Sequence, residues 1–269
     1  MIKNAPGFLL AIALSVPATA APAANLSVLR SFDIAGPSGL AYDAEHCAIW
    51  VANESKTVTL ITPWGFELRS FVAELPRVDA IAIQGDHLVL SDGNGTYQRV
   101  SREGQSLGDP YRLAGYLSDT DGLFFDNETS DYWVVDDSVA ELVRIAVDGT
   151  ITQRLEGALL PTQLMEPQGV TRDPISGNIL VVDDADASDS LFEFSPEGEL
   201  LSVISLSEGG FDAEGITIQP DTMTVFVAYD DGDRITAFQY MPTPNGHAMR
   251  VAEPGGCIIS ALPEVISKG

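Results

Sequence analysis

A short motif that recurs five times constrains the fold of this chain more than any other feature of its sequence. Each copy has a small residue followed by an alternating apolar run, as in Gly39-Leu40-Ala41-Tyr42-Asp43. We call the small residue the anchor, and the five anchors are Gly39, Ala80, Gly122, Gly169 and Gly215. Their spacings of 41, 42, 47 and 46 residues lie in the range of repeat architectures such as β-propellers.

Each repeat contains short segments with the alternation of β-strands. The anchor opens the first segment, the second ends in a polar residue such as Asn53 or Asp136, and the third precedes a turn with glycine, as at Gly65 and Gly149. A fourth segment closes the unit, for example at residues 67–72. Period-two alternation indicates strands rather than helices. Four strands per repeat with glycine turns predict an all-β fold, a β-propeller of four-stranded blades.

The two ends of the repeat region indicate how the ring closes. Residues 26–32 form a strand-like run before the first anchor, whereas the last repeat has three clear strands before the Pro-rich stretch 241–246. The N-terminal run is therefore predicted to complete the last blade, which gives five blades within residues 26–250. Six blades are the alternative, because residues 248–252 and 257–262 offer further strands. The tail, residues 251–269, is expected to pack near blade one.

The chain has two cysteines, and closure of the ring would bring the regions that contain them together. Cys47 lies in the first repeat and Cys257 lies beyond the last one. These two regions are neighbours in a closed ring, so we expect a disulfide between Cys47 and Cys257, with two unpaired thiols as the alternative.

The first 20 residues have the pattern of a cleaved signal peptide. Lys3 precedes an apolar run from Phe8 to Val16, and Ala18-Thr19-Ala20 fits a cleavage site. The run is too short to cross a bilayer, which takes about 20 apolar residues. The sequence therefore predicts a periplasmic or secreted protein without membrane insertion.

The net charge of the chain indicates which classes of partner it can bind. The chain has 14 basic and 39 acidic residues, a formal net charge of −25. Nucleic acids and anionic membranes attract basic surfaces, so both are unsuitable partners. We expect a monomer whose partner is a cationic ligand, a small molecule or another protein.

The acidic residues recur in register with the anchors. One set stands directly before the anchors, and its members are Ser38, Asp79, Asp121, Gln168 and Glu214. A second set follows the second strand of each repeat, and its members are Asn53, Asp92, Asp136, Asp183 and Asp230. Because successive strands of a blade are antiparallel, both sets are expected at one mouth of the central channel.

We predict that the set before the anchors lines this mouth and that the second set ligates a metal ion. Several further acids, among them Glu54, Asp137 and Asp184, come directly after the second set. Carboxylate and amide oxygens without His or Cys favour Ca²⁺, which is the expected cofactor. The competing interpretation is that Asp residues at strand ends only form turns.

The repeat pattern resembles the NHL-type propeller superfamily, which includes the SdiA-regulated, gluconolactonase, strictosidine-synthase-like and paraoxonase groups. The segments Glu166-Pro167-Gln168-Gly169-Val170 and Asp212-Ala213-Glu214-Gly215-Ile216-Thr217 look most like SdiA-regulated and NHL repeats. The resemblance implies one Ca²⁺ in the central channel and, for some members, hydrolase activity. The sequence departs from that pattern at Ser38, where the enzymes typically have Glu before the first anchor.

Two functions are compatible with these patterns. The first is an exported binding propeller whose acidic mouth takes Ca²⁺ or another cationic ligand. The alternative is a Ca²⁺-dependent hydrolase of lactones or esters, in which Asp121 or Glu214 acts as the general base. A scaffold without a small ligand is a third possibility.

Overall fold

The computed structural model describes residues 23–115, 117–185, 188–245 and Cys257. These residues form a ring of five antiparallel sheets, so the predicted five-bladed β-propeller is confirmed. The predicted signal peptide lies outside the described residues, as does the tail apart from Cys257. In the part of the chain that the structure describes, no helix is long and apolar enough to cross a membrane.

Each blade has its inner strand at the channel, and the strands follow in chain order outwards. Blade one consists of β2 (Leu40–Asp43), β3 (Ala48–Ala52), β4 (Thr57–Ile61) and β5 (Glu67–Val72). Blade two consists of β6 (Ala80–Gln84), β7 (His87–Ser91) and β8 (Tyr97–Ser101). Blade three consists of β9 (Gly122–Asp126), β10 (Asp131–Asp136), β11 (Glu141–Ala146) and β12 (Ile151–Glu156). Blade four consists of β13 (Pro167–Arg172), β14 (Ile179–Asp183), β15 (Ser190–Phe194) and β16 (Leu200–Ser205).

The fifth blade closes the ring with the N-terminal strand. It consists of β17 (Phe211–Gln219), β18 (Thr224–Asp231), β19 (Arg234–Met241) and β1 (Asn25–Asp33). The pairing of β1 with β19 runs from Asn25 opposite Met241 to Asp33 opposite Arg234. Closure by the N-terminal strand is thereby confirmed. The stretches 248–252 and 257–262, which we considered as further strands, lie outside the described residues except for Cys257.

Blade two differs from the other four at its outer edge. Its fourth strand is reduced to two isolated bridges, Tyr97 with Tyr111 and Val100 with Ser106. The segment between Gly108 and Tyr111 contains Pro110, which has no amide hydrogen to donate to a strand ladder. The outer edge of this blade is therefore irregular while its inner strand keeps the common geometry.

The hydrophobic core is divided among the five joints between neighbouring blades. Trp50 is fully buried in the cluster that joins blades one and two, and Trp133 is 2% exposed in the cluster between blades three and four. Burying a large apolar side chain stabilises a fold by about 1.5–3 kcal/mol. Each joint is thus stabilised in the same way, and the ring holds the inner strands at fixed positions around the channel.

Four of the five anchors are glycines because neighbouring inner strands approach closely at the waist of the channel. A Cβ atom on Gly122 would lie 2.7 Å from the carbonyl oxygen of Gln168, and one on Gly39 would lie 2.6 Å from that of Asp79. The free space at this waist is about 10 Å³, which is room for about one water molecule. The channel therefore has two separate openings rather than one continuous bore.

A disulfide joins Cys47, in the turn between β2 and β3, to Cys257. The two Cα atoms are 5.3 Å apart although the residues are 210 positions apart in the sequence. This link attaches the C-terminal region to blade one.

Candidate functional site: the acidic mouth

The inner strands all begin at the same end of the channel, and the residues before the anchors surround that end. Ser38 and Asp79 are buried, whereas Asp121, Gln168 and Glu214 are half-buried. Burial, then Asp212 and Asp184, raise the pKa of Glu214 of blade five, and the charge of Asp121 of blade three adds a smaller contribution across the opening. We call this opening, with the carboxylates described below, the acidic mouth.

Within this set, Asp79 forms an ion pair with a basic residue. Arg77 binds one of its carboxylate oxygens at 2.7 Å, and Ser38 donates a hydrogen bond of 2.7 Å to its backbone oxygen. The second carboxylate oxygen, Oδ2, is buried without a hydrogen-bond partner and lies against Gly93. Burial raises the pKa of Asp79, and Arg77 opposes that change.

The first carboxylate triad belongs to blade three. Asp119, Asp121 and Asp137 each bring an oxygen within 4.8 Å of the other two. Burial, followed by repulsion from Asp119, Asp79 and Asp137, raises the pKa of Asp121 to about 8. Burial and the charge of Asp119 raise the pKa of Asp137 to about 6.

The second triad joins blades four and five. Asp184, Asp212 and Glu214 also offer oxygens within 4.8 Å of one another. Burial, then repulsion from Asp212 and Asp184, raises the pKa of Glu214 to about 9. Burial and a hydrogen bond with Asp212 raise the pKa of Asp184 to about 7. In both triads, burial and then the repulsion between like charges favour the protonated forms of these carboxyl groups.

The structure gives three residues of the predicted metal set a role in turns. Asp183 accepts backbone hydrogen bonds from Met165 at 2.6 Å and Glu166 at 3.1 Å. Asp92 accepts from the amides of Asn94 and Thr96, both at 2.9 Å.

Asp136 is used in the same way. It accepts from the amide of Ser118 at 3.0 Å and from the hydroxyl of Ser138 at 2.7 Å. Each of these three carboxylates thus accepts hydrogen bonds from loop residues at its strand end.

The other two residues of that set are also separate from the triads. Asn53 accepts a hydrogen bond of 2.6 Å from the hydroxyl of Ser55, and Asp230 is exposed. The acids that enter the triads after strands β10 and β14 are instead the next residues, Asp137 and Asp184.

Besides the two sets predicted from the sequence, a third group of residues lies at the mouth, and reasoning from the sequence did not identify it. Asp119 and Asp212 each stand three residues before an anchor, and Glu166 occupies the same place in blade four. Arg77 stands at this position in blade two. A count of acids at every offset from the anchors, rather than only at the adjacent one, would have found them.

The chemistry of the triads fits a hard cation. Two carboxylates about 5 Å apart repel by about 3 kcal/mol at an effective dielectric constant near 20. Two oxygens bound to one Ca²⁺ at 2.3–2.6 Å lie at most about 5 Å apart, and the oxygens of each triad lie within 4.8 Å. The donors are oxygen atoms only, as Ca²⁺ prefers.

Comparison with known proteins supports the propeller fold and goes no further. No family model and no curated protein matches the chain. The glutaminyl cyclase of Myxococcus xanthus aligns with a TM-score of 0.63 and 14% identity, over 80% of this chain and 96% of that one. The WD40 β-propeller domain of Doa1 aligns with a TM-score of 0.51 and 11% identity, over 75% of this chain and 78% of that one. Identity this low establishes the fold alone, so the resemblance to NHL-type proteins is supported only as far as the β-propeller architecture.

Proposed function

We propose that the protein is a cation-binding propeller and that the acidic mouth takes Ca²⁺. The observation that carries this proposal is the raised pKa of Asp121, about 8, together with that of Glu214, about 9. Both shifts come from burial and from the negative charge of neighbouring carboxylates. A cation placed among these groups would remove the repulsion and favour their ionised forms.

The two triads are the proposed ligands, in place of the set predicted from the sequence. Their members are Asp119, Asp121 and Asp137 on one side and Asp184, Asp212 and Glu214 on the other. Arg77 forms its ion pair with Asp79, and its charge only partly opposes the raised pKa of Asp121. Binding would release protons from Asp121 and Glu214, because ligating carboxylates must be deprotonated.

The same pKa shifts bear on the alternative, a Ca²⁺-dependent hydrolase. A carboxylic acid that stays protonated at neutral pH beside ionised carboxylates is a typical general acid. Asp121 and Glu214 meet that condition without a cation, and neither would then be the general base that we predicted. Ca²⁺ would lower both pKa values and restore a base. Hydrolysis of a lactone or ester panel should therefore require Ca²⁺ and stop when a chelator is added.

Calorimetric titration with Ca²⁺ after chelator treatment tests the binding proposal, with thermal unfolding as the second readout. A ligand at 100 times its dissociation constant adds about 2.7 kcal/mol to the free energy of unfolding. For a chain of this size that is an increase in Tm of roughly 5–11 °C. Absence of both heat and a Tm shift in the wild-type protein would contradict the proposal.

Two double variants localise the site. Asp121→Asn with Glu214→Gln removes one carboxylate from each triad and should weaken Ca²⁺ binding at least tenfold. Glu103→Gln with Asp148→Asn removes the same number of carboxyl groups from turns outside the triads and should leave the affinity unchanged. Equal affinities in the two double variants would show that Ca²⁺ binds elsewhere.

A further inference from the structure

The opposite end of the channel holds a cavity that the acidic mouth does not reach. Its volume is about 490 Å³, and inner strands of all five blades line it. Leu40, Ile81, Leu123 and Ile218 form part of its apolar wall. Pockets of about 300–1,000 Å³ with mainly apolar walls are typical of small-molecule sites.

The waist of the channel closes this cavity at its inner end. Leu40, Ile81 and Leu123 line both the cavity and the waist, where the free space is only about 10 Å³. A ligand in the cavity is therefore separated from the triads by a constriction that admits one water molecule. The two ends of the channel are thus spatially separate.

Two arginines lie at the outer part of the cavity, and both are already paired. Arg172 binds Asp126 at 3.1 Å and Glu128 at 3.0 Å.

Arg102 is held in the same way on the other side of the cavity. It forms a close ion pair with Asp43 and approaches Glu45 at 3.6 Å. Four carboxylates thus face two guanidinium groups among the lining residues, a local excess of negative charge that disfavours an anionic ligand.

The rim also has aromatic and small residues that define its shape. Tyr42 and Phe124 are half-buried in the lining, and Ala44 is exposed there. Half-buried aromatic side chains supply a large apolar contact area at small entropic cost. The cavity therefore has apolar walls and a closed inner end, and its two arginines are already paired with carboxylates. These features disfavour an anionic ligand and favour an apolar one.

We propose that this cavity is a second binding site and that it takes an uncharged, mainly apolar molecule of drug-like size. The fluorescent amine N-phenyl-1-naphthylamine is a suitable probe because it is neutral and brightens in apolar surroundings. The full-length protein should bind it with a saturable, micromolar dissociation constant. The anionic probe 8-anilinonaphthalene-1-sulfonate, which has similar rings, should bind at least tenfold more weakly.

Matched variants test whether the probe binds in this cavity. Ala44→Trp fills the rim at an exposed position and should weaken probe binding at least tenfold. Ala158→Trp adds the same side chain at an exposed position outside the cavity lining and should have no effect. Phe124→Asp introduces a charge into the wall and should also weaken binding, and its circular dichroism spectrum verifies folding.

Each outcome decides the proposal. Equal binding to the Ala44→Trp and Ala158→Trp variants, or no binding to the wild type, would overturn it. Binding that occurs only after removal of residues 258–269 would also overturn it and would identify the chain's own tail, which follows Cys257, as the occupant. Saturating Ca²⁺ should change the dissociation constant of the probe less than twofold, so failure of the calcium proposal and failure of this one are distinguishable.

Discussion

Both ends of the central channel carry carboxylates, but the two ends differ in whether basic residues pair with them. At the cavity, Asp43 and Asp126 are buried against Arg102 and Arg172. At the acidic mouth, the triads have no arginine or lysine of their own among the described residues. The same repeat therefore produces a paired end and an unpaired end.

The pKa values record this difference. Burial opposes ionisation of Asp43, but the hydrogen bond from Trp50 and the charge of Arg102 outweigh it and lower its pKa. The pKa of Asp121 rises instead to about 8 because burial and like charges act together. The ion pairs at the cavity end thus link neighbouring blades, while burial and mutual repulsion make the carboxylates at the mouth a cost to stability.

The largest expected effect of a substitution is at the paired end. Arg102→Met should lower the free energy of unfolding by about 3 kcal/mol, because it leaves the carboxylate of Asp43 buried without its cation. For a chain of this size the Tm should fall by roughly 6–12 °C. Arg112→Met, at an exposed position, is the control and should change the free energy by less than about 0.5 kcal/mol. Equal losses in the two variants would remove the contrast between the ends.

An intermediate effect of opposite sign is expected at the mouth. Asp121→Asn should raise the free energy of unfolding by about 1–2 kcal/mol at pH 7.5 in chelator, because it removes one of the repelling carboxyl groups. Denaturant unfolding measures this change. Ca²⁺ should abolish the gain by stabilising the wild-type protein more than the variant. A loss of stability in chelator would mean that Asp121 is compensated by a partner.

The smallest effect is expected when the same pair of proteins is compared at low pH. The folded-state pKa of Asp121, about 8, lies above the ordinary value near 4 for an unfolded chain. The loss of folding free energy caused by this raised pKa is therefore absent below about pH 4 and grows as the pH rises towards 8. At pH 4 the Asp121→Asn variant and the wild type should differ by less than about 0.5 kcal/mol. A pH-independent difference would assign the effect to packing rather than to charge.

Most of the fold could be predicted because the waist of the channel imposes its geometry on the sequence. Gly39, Gly122, Gly169 and Gly215 stand where a Cβ atom would meet the backbone of the next blade, so the requirement recurs once in every blade except the second. The outer edge of blade two was predicted less well, because Pro110 and its neighbours replace a regular strand by bridges.

The position of the candidate site could be predicted from the sequence, but the residues that form the triads could not. The sequence indicated one acidic face, but it did not distinguish Asp136, which caps a loop, from its neighbour Asp137, which enters a triad. That choice depends on the direction in which each side chain leaves the strand end, and the loop determines it. The cavity at the other end was overlooked because Leu40 and Leu123 have the alternation of ordinary core residues.

The seam between β1 and β19 determines when this ring can form. Asn25 pairs with Met241, so the first strand of the chain has no partner until nearly the whole chain has been made. Folds that depend on such distant pairings form slowly, in milliseconds to seconds, because loop closure must precede the contact. Until then Phe32 and Ile34 lack the blade-five half of the apolar cluster that joins blades five and one. The incomplete chain therefore carries an open sheet edge, and its time in that state sets its exposure to aggregation and proteolysis.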